Sequence, residues 1–161
     1  MKKERIPELR AEINSELLNL ADLVKSLGVQ RDRIPEDREL RSVFLESSAL
    51  KLHNFYTGIE RMFRKIAEDL NGGLPPSSEW HKRLLLSMSL DLDSIRPAVI
   101  SRETLSQLED YLAFRHVVRN IYGFEIKEEK LFPLLKKIDA VWKDFYQDMK
   151  KFLLFLSDMQ Q

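Results

Sequence analysis

Between Phe114 and Gly123 the chain reads Phe114-Arg115-His116-Val117-Val118-Arg119-Asn120-Ile121-Tyr122-Gly123. Side chains suited to phosphate chemistry sit here at helical spacing. At about 100° per residue, Arg115, Arg119 and Tyr122 fall on one helix face within roughly 60°. His116 and Asn120 form a second i,i+4 pair on the flank of that face. Guanidiniums hold the charge of a phosphate, an imidazole exchanges protons near neutral pH, and an amide orients a phosphate or hydroxyl without exchanging its proton. Phe114, Val117, Val118 and Ile121 lie opposite, so the helix is expected to turn its charged side outward. Gly123 can adopt the left-handed conformation that stops a helix just after Tyr122. Residue types alone leave two readings open: a phosphate-binding ridge, or a surface patch of ordinary ion pairs.

The elements that must position this ridge are all helices. The first is expected over Pro7 to Leu27, with Pro7 in the first turn and Gly28 as a stop. Ile13, Leu17, Leu20, Val24 and Leu27 step by four and three along one face. Pro35-Glu36-Asp37 opens a long second helix to about Leu70, with acids where the helix end is positive. Its apolar face is Leu52, Phe55, Ile59, Met62 and Ile66, and Asn71-Gly72-Gly73 ends it. After Pro75-Pro76-Ser77-Ser78 comes a shorter helix from about Glu79 to Leu90. Asp91 to Ile100 is irregular, and Ser101 caps the fourth helix, which carries the ridge. The fifth follows Glu125–Glu128. Leu131, Leu135, Ile138, Trp142, Phe145, Met149, Phe152, Leu156 and Met159 alternate steps of four and three, a near-3.5 repeat typical of left-handed bundles. Pro133 predicts a kink or a delayed start there. The architecture expected is all-α: an antiparallel bundle of four main helices plus a shorter one, in a single domain over residues 1–161.

Composition narrows the partners. With 26 basic and 26 acidic residues in 161, no global charge draws the chain to nucleic acid or an anionic membrane, so any RNA affinity must be local. The absence of cysteine excludes disulfides, thiolate metal sites and cysteine nucleophiles. His53, His81 and His116 are far apart, without the spacing of a metal site. Neither a glycine-rich phosphate loop nor a GxSxG turn is present, so no cofactor is expected. Trp80-His81 reads as a cap or packing element, with a catalytic His81 as the lesser alternative. Glu60-Arg61 and Arg64-Lys65 read as a solvated face, with Glu60 alternatively tethering an arginine of the ridge from the facing helix. No apolar segment follows the charged start Met1 to Arg5, and Phe152–Leu156 is far too short to cross a bilayer. A cytoplasmic protein without membrane association is the expectation. Phe152–Leu156 is apolar all round and either packs beneath the first helix or meets a second copy.

The ridge resembles the signature of the HEPN family, and more closely the HepT-like ribonuclease toxins paired with a minimal nucleotidyltransferase antitoxin. Those carry Arg, four residues, His, one residue, Tyr on a late helix. Phe55-Tyr56-Thr57-Gly58-Ile59-Glu60-Arg61, Trp80-His81 before Leu84-Leu85, Arg96-Pro97-Ala98-Val99-Ile100 and Tyr122-Gly123-Phe124-Glu125 are also family-like, so the resemblance covers about residues 40 to 135. It implies a metal-independent endoribonuclease, homodimeric, acting on RNA and held in check by a nucleotidyltransferase that adenylylates Tyr122. Each added AMP would bring negative charge and bulk beside the arginines. The plainer reading of Tyr122 is a ring that closes the helix end against Phe124.

Arg115 occupies the motif's arginine, and Arg119 joins it as a phosphate-binding cation on geometry. The family's histidine is Asn120 here, which departs from the pattern. His116, one turn earlier on the same flank, is the residue that can take over acid–base work, or it serves only as the arginine's polar neighbour. The catalytic candidates are therefore Arg115, His116 and Asn120. Two other outcomes stay open: a weakened or inactive HEPN module that binds a nucleotidyltransferase or nucleotide, and an interaction bundle with no nucleotide role.

Overall fold

Heptad-like stripes on long helices have to be covered, and here they cover one another. The computed structural model of the protein describes residues 3–119 and 126–161. A short 3-10 turn, Lys3–Arg5, leads into α1 (Ile6–Arg31), followed by α2 (Arg38–Leu70), α3 (Trp80–Met88), α4 (Arg102–Arg119) and α5 (Glu128–Asp158). Among the described residues the regular structure is helical throughout, apart from one isolated bridge between Leu92 and Arg96. The all-α bundle of four long helices and one short one is as the periodicity predicts.

Side-chain pairs show how the helices run. Gln30 bonds Ser48, Lys51 bonds Ser26, Arg61 bonds Glu16 and Lys65 bonds Glu12, so α1 and α2 are antiparallel. Arg31 to Asp139 and Arg10 to Gln160 make α1 and α5 antiparallel. Thr104 to Asp148 and Gln107 to Asp144 do the same for α4 and α5. α3 lies against α2 and α4.

The core comes from the predicted stripes. In α1, Ile13, Leu17, Leu20, Val24 and Leu27 are buried, and Ile6 and Leu9 extend the stripe. In α5, Leu131, Leu135, Ile138, Phe145, Met149, Phe152 and Leu156 are buried, with Leu134, Val141 and Leu153 beside them. Of the run Phe152–Leu156, Leu154 alone is exposed. Packing within the bundle therefore accounts for nearly all of it.

Several boundaries differ from expectation. Gly28 does not stop α1, which continues to Arg31. Nothing there requires a left-handed residue, and Arg31 reaches Asp139 on α5 at 2.6 Å from the extra turn. α2 starts at Arg38, with Asp37 as the cap whose carboxylate accepts from the Leu40 N–H. Pro133 does not delay α5, which begins at Glu128. Its missing N–H removes only the i→i−4 bond to the Glu129 carbonyl, close to the helix end and on an exposed residue. Arg41 fixes that end, donating to both oxygens of Glu128 at 2.6 and 2.9 Å and holding its carboxyl below the usual carboxylate range. The expected stop of α4 at Gly123 lies outside the described residues.

Two clamps set the helices that carry the site. Ser101 caps α4, its hydroxyl accepting from the Thr104 N–H, as the sequence suggests. Asp148 on α5 adds a second lock, accepting from the Ser101 N–H and the Thr104 hydroxyl. At the other clamp Arg96 is 3% exposed. It donates to the carbonyls of Ser87, Leu90 and Pro97 and to the Asn71 side chain. A cation is favourable there because the C-terminal end of α3 presents its carbonyls, and the Asn71 side chain at the end of α2 adds another acceptor. Burial still lowers its pKa from the ordinary arginine value. Gly72 and Gly73, at φ +82° and +130°, take the chain out of the C-terminal end of α2.

Candidate functional site

Three residues from three helices meet where α2, α3 and α4 converge. Glu60 lies on the inner side of α2 and is 4% exposed. A carboxylate so deeply placed needs charged or hydrogen-bonded partners. It has two. His81, on the first turn of α3, places Nδ1 2.7 Å from Glu60 Oε2. Arg115, on α4, places Nη1 3.4 Å from both Glu60 oxygens. That nitrogen also lies 3.3 Å from His81 Nδ1.

The proton roles follow from the donor inventory. An ionised carboxylate only accepts, so with Glu60 ionised the 2.7 Å contact has His81 Nδ1 carrying the proton and donating it. Arg115 Nη1 then donates to Glu60, and its approach to Nδ1 is a contact between two donors. In the neutral ring this makes Nε2 the acceptor nitrogen. Both contacts of Arg115 with Glu60 leave from Nη1.

Beside this triad opens a cavity of about 790 Å³. Its walls include His81 and Lys82 from α3 and Arg115, His116 and Arg119 from α4, with Glu79 and Glu109 at the rim. Leu85, Leu86, Leu112 and Ala113 give it an apolar side. Arg119 and His116 are exposed, whereas the Arg115 side chain is only 12% exposed. Arg115 thus departs from the expected outward orientation and turns toward the buried carboxylate on α2, whereas His116 and Arg119 keep it. Phe114 is buried on the opposite side and Val118 packs partly against the core, as the amphipathic pattern requires.

Neighbouring rings frame the triad. Trp80 stacks on His81 with centroids 3.7 Å apart, and the Arg64 guanidinium lies over Trp80 at 5.6 Å. Burial pushes the Tyr56 phenol far above its ordinary value, reinforced by Glu60. Burial also lowers the pKa of His53 from its ordinary value; the Asn54 bond opposes the shift, and Arg115 and Arg119 add to it.

Of the residues singled out in the sequence, Arg115, His116 and Arg119 line one cavity. Asn120 and Tyr122 lie outside the described residues. Glu60 takes the tethering position offered as the alternative to a solvated face, while Arg61 pairs with Glu16 across α1. His81 is not simply a cap: it is held by Glu60 and faces the cavity wall. Nothing in their spacing signals the Glu60–His81–Arg115 cluster, since the three come from separate helices. Among the described residues, no group of three or more histidine, aspartate and glutamate side chains could hold a metal ion. No helix there is long and apolar enough to cross a membrane.

The structure is an all-α bundle whose late helix brings two arginines and a histidine to one cavity. The chain belongs to the HepT-like family: the family model described as HepT-like protein matches residues 47–156, more than half of the chain. Neither a curated protein nor a solved structure matches it.

Proposed function

We propose that this HepT-like chain is a toxin endoribonuclease that acts without a metal ion and binds the scissile RNA phosphate in the cavity between α3 and α4. The observation that carries the reading is the convergence of Arg115 and Arg119 with His81 and His116 on that cavity, in a chain of this family. The ribose 2′-oxygen attacks phosphorus and its proton passes to a base. The bond from phosphorus to the 5′-oxygen breaks, an acid protonates that oxygen, and a 2′,3′-cyclic phosphate remains. Arg115 holds the charge developing on phosphorus and Arg119 positions the phosphate from the exposed edge. His116 serves proton transfer, Asn120 orients the phosphate, and the apolar side of the cavity accommodates a nucleobase.

The same reading includes regulation. A nucleotidyltransferase antitoxin adenylylates Tyr122, and the added phosphate answers the arginines that RNA would otherwise engage. A homodimer that pairs two ridges doubles the local positive charge that an electrically neutral chain requires. The cytoplasm is where such RNA and such a partner occur together.

Cleavage of RNA in EDTA tests the enzyme. Activity that survives chelation and is lost in Arg115→Ala supports it; an inert pure protein removes it. Mass spectrometry after incubation with the partner nucleotidyltransferase and ATP tests Tyr122, and light scattering that gives a 19 kDa species removes the dimer.

Two observations favour a second reading, a HEPN module that binds a nucleotidyltransferase or nucleotide and cleaves nothing. Asn120 stands where the motif has histidine, and Arg115 is already engaged by Glu60. Retained RNA or nucleotide binding without cleavage identifies it.

A further inference from the structure

We infer that His81, held by Glu60, is the general base of this site, supplying a proton acceptor that the amide of Asn120 cannot be. The inference rests on the ribonuclease reading and deepens it by naming the proton acceptor. Geometry carries it. The buried carboxylate of Glu60 fixes the Nδ1–H tautomer at 2.7 Å, which leaves Nε2 as the basic nitrogen of a ring that lines the cavity. The His81 side chain is 26% exposed, so the ring is braced by Glu60 and still partly accessible where it lines the cavity. Trp80 stacks on its face and limits its rotation. A carboxylate behind an imidazole both orients the ring and stabilises the imidazolium that forms when it takes a proton.

The cations of the same cavity complete the arrangement. Arg115 shares Glu60 with His81 through Nη1, so the phosphate-binding cation and the base are positioned by one carboxylate. A phosphate held by Arg115 and Arg119 then brings the adjacent 2′-hydroxyl toward His81 from the cavity side. The hydroxyl proton moves to Nε2 as the oxygen attacks phosphorus. His116, on the wall formed by α4, gives a proton to the departing 5′-oxygen. Glu60 touches no substrate and is a positioning residue.

Several charged groups face the ring from the elements around it. α2 contributes Glu60, with Arg64 beyond Trp80 and His53 near Arg115. α3 contributes Glu79 and Lys82, and α4 contributes Arg115, His116, Arg119 and Glu109. Glu60 and Arg115 lie within 3.3 Å of Nδ1, so they dominate the ring's surroundings.

Single-turnover cleavage of a short RNA across pH, with wild type, His81→Ala, His116→Ala and Glu60→Gln, tests the assignment. In His81→Ala the rate constant falls about a hundredfold or more and the rising limb of the pH profile disappears. Added imidazole restores part of the rate, which a structural defect would not allow. Glu60→Gln displaces the limb and lowers kcat more than it raises KM. Nitrogen-resolved NMR of the wild-type imidazoles shows His81 protonated at Nδ1, with the Nε2 resonance moving when a 2′-deoxy oligonucleotide is added. Full activity of folded His81→Ala overturns this role and leaves the ribonuclease intact, as does a wild-type ring protonated at Nε2. A wild-type protein inert toward RNA overturns the ribonuclease reading and the role together.

Discussion

Glu60 is a charge placed where water cannot reach it, and its two partners are what make that tolerable. Removing one member of a buried ion cluster leaves the others uncompensated. Glu60→Leu is expected to lower stability by about 3 kcal/mol, because it strands the Arg115 guanidinium beside an apolar side chain. Glu60→Gln retains an acceptor oxygen and loses less. Urea denaturation of the two variants checks the order, and equal midpoints would show that the cluster adds nothing to the fold. His53 supplies the pH dependence at this scale. Burial lowers its folded pKa, so its contribution to stability is complete above the ordinary histidine value. As pH falls through the lowered value, the unfolded chain binds the proton first and stability is lost. The melting temperature of wild type therefore drops between pH 7 and 5, and His53→Gln makes that drop shallower. An unchanged slope would assign the loss to other groups.

At the scale of elements, the contact between α1 and α2 depends on a residue without a side chain. A Cβ on Gly58 would stand 2.7 Å from Leu20 Cδ2 and 2.8 Å from Glu16 Oε1. Leu20 is buried in the core and Glu16 is engaged by Arg61, so neither moves without losing a contact. Gly58→Val is expected to destabilise by about 2 kcal/mol despite removing a helix-interior glycine, since overpacking outweighs the gain in helix propensity. Thermal unfolding measures it, and a variant as stable as wild type would mean that the two helices separate easily. Gly58 is legible in the sequence only as a glycine inside a strong helical stripe. Its reason is the helix lying across it, and that helix is about forty residues earlier in the chain.

For the whole molecule, charge neutrality bears on how the proposed RNA substrate would be held. With 26 acidic residues balancing 26 basic ones, the cavity cations act locally rather than as part of a wide field. Each phosphate neutralised on a single strand contributes a salt slope of about −0.7. Binding of single-stranded RNA through Arg115, Arg119 and Lys82 is then expected to give a slope of roughly −2 in log Kd-derived affinity against log salt. Arg119→Ala reduces its magnitude by about 0.7. Fluorescence anisotropy over a salt series checks both, and a slope unchanged in Arg119→Ala removes that residue from the phosphate contact.

The sequence by itself determined the bundle. Five helices, the stripes of α1, α2 and α5, and the Ser101 cap all follow from local periodicity and capping chemistry, which act within a few residues. It also brought Arg115, His116 and Arg119 together, because three positions on one helix need no tertiary information to be neighbours. Local rules misplaced the end of α1, where the outcome turned on contacts across helices, and of the two effects offered for Pro133 the delayed start does not occur. Only the tertiary structure decided that Arg115 faces inward to Glu60, that His81 shares the same carboxylate, and that a cavity lies beside them. Those facts join residues 60, 81 and 115 from three helices. The forces responsible, burial of a carboxylate and the pairing that burial demands, exist only once the helices have packed.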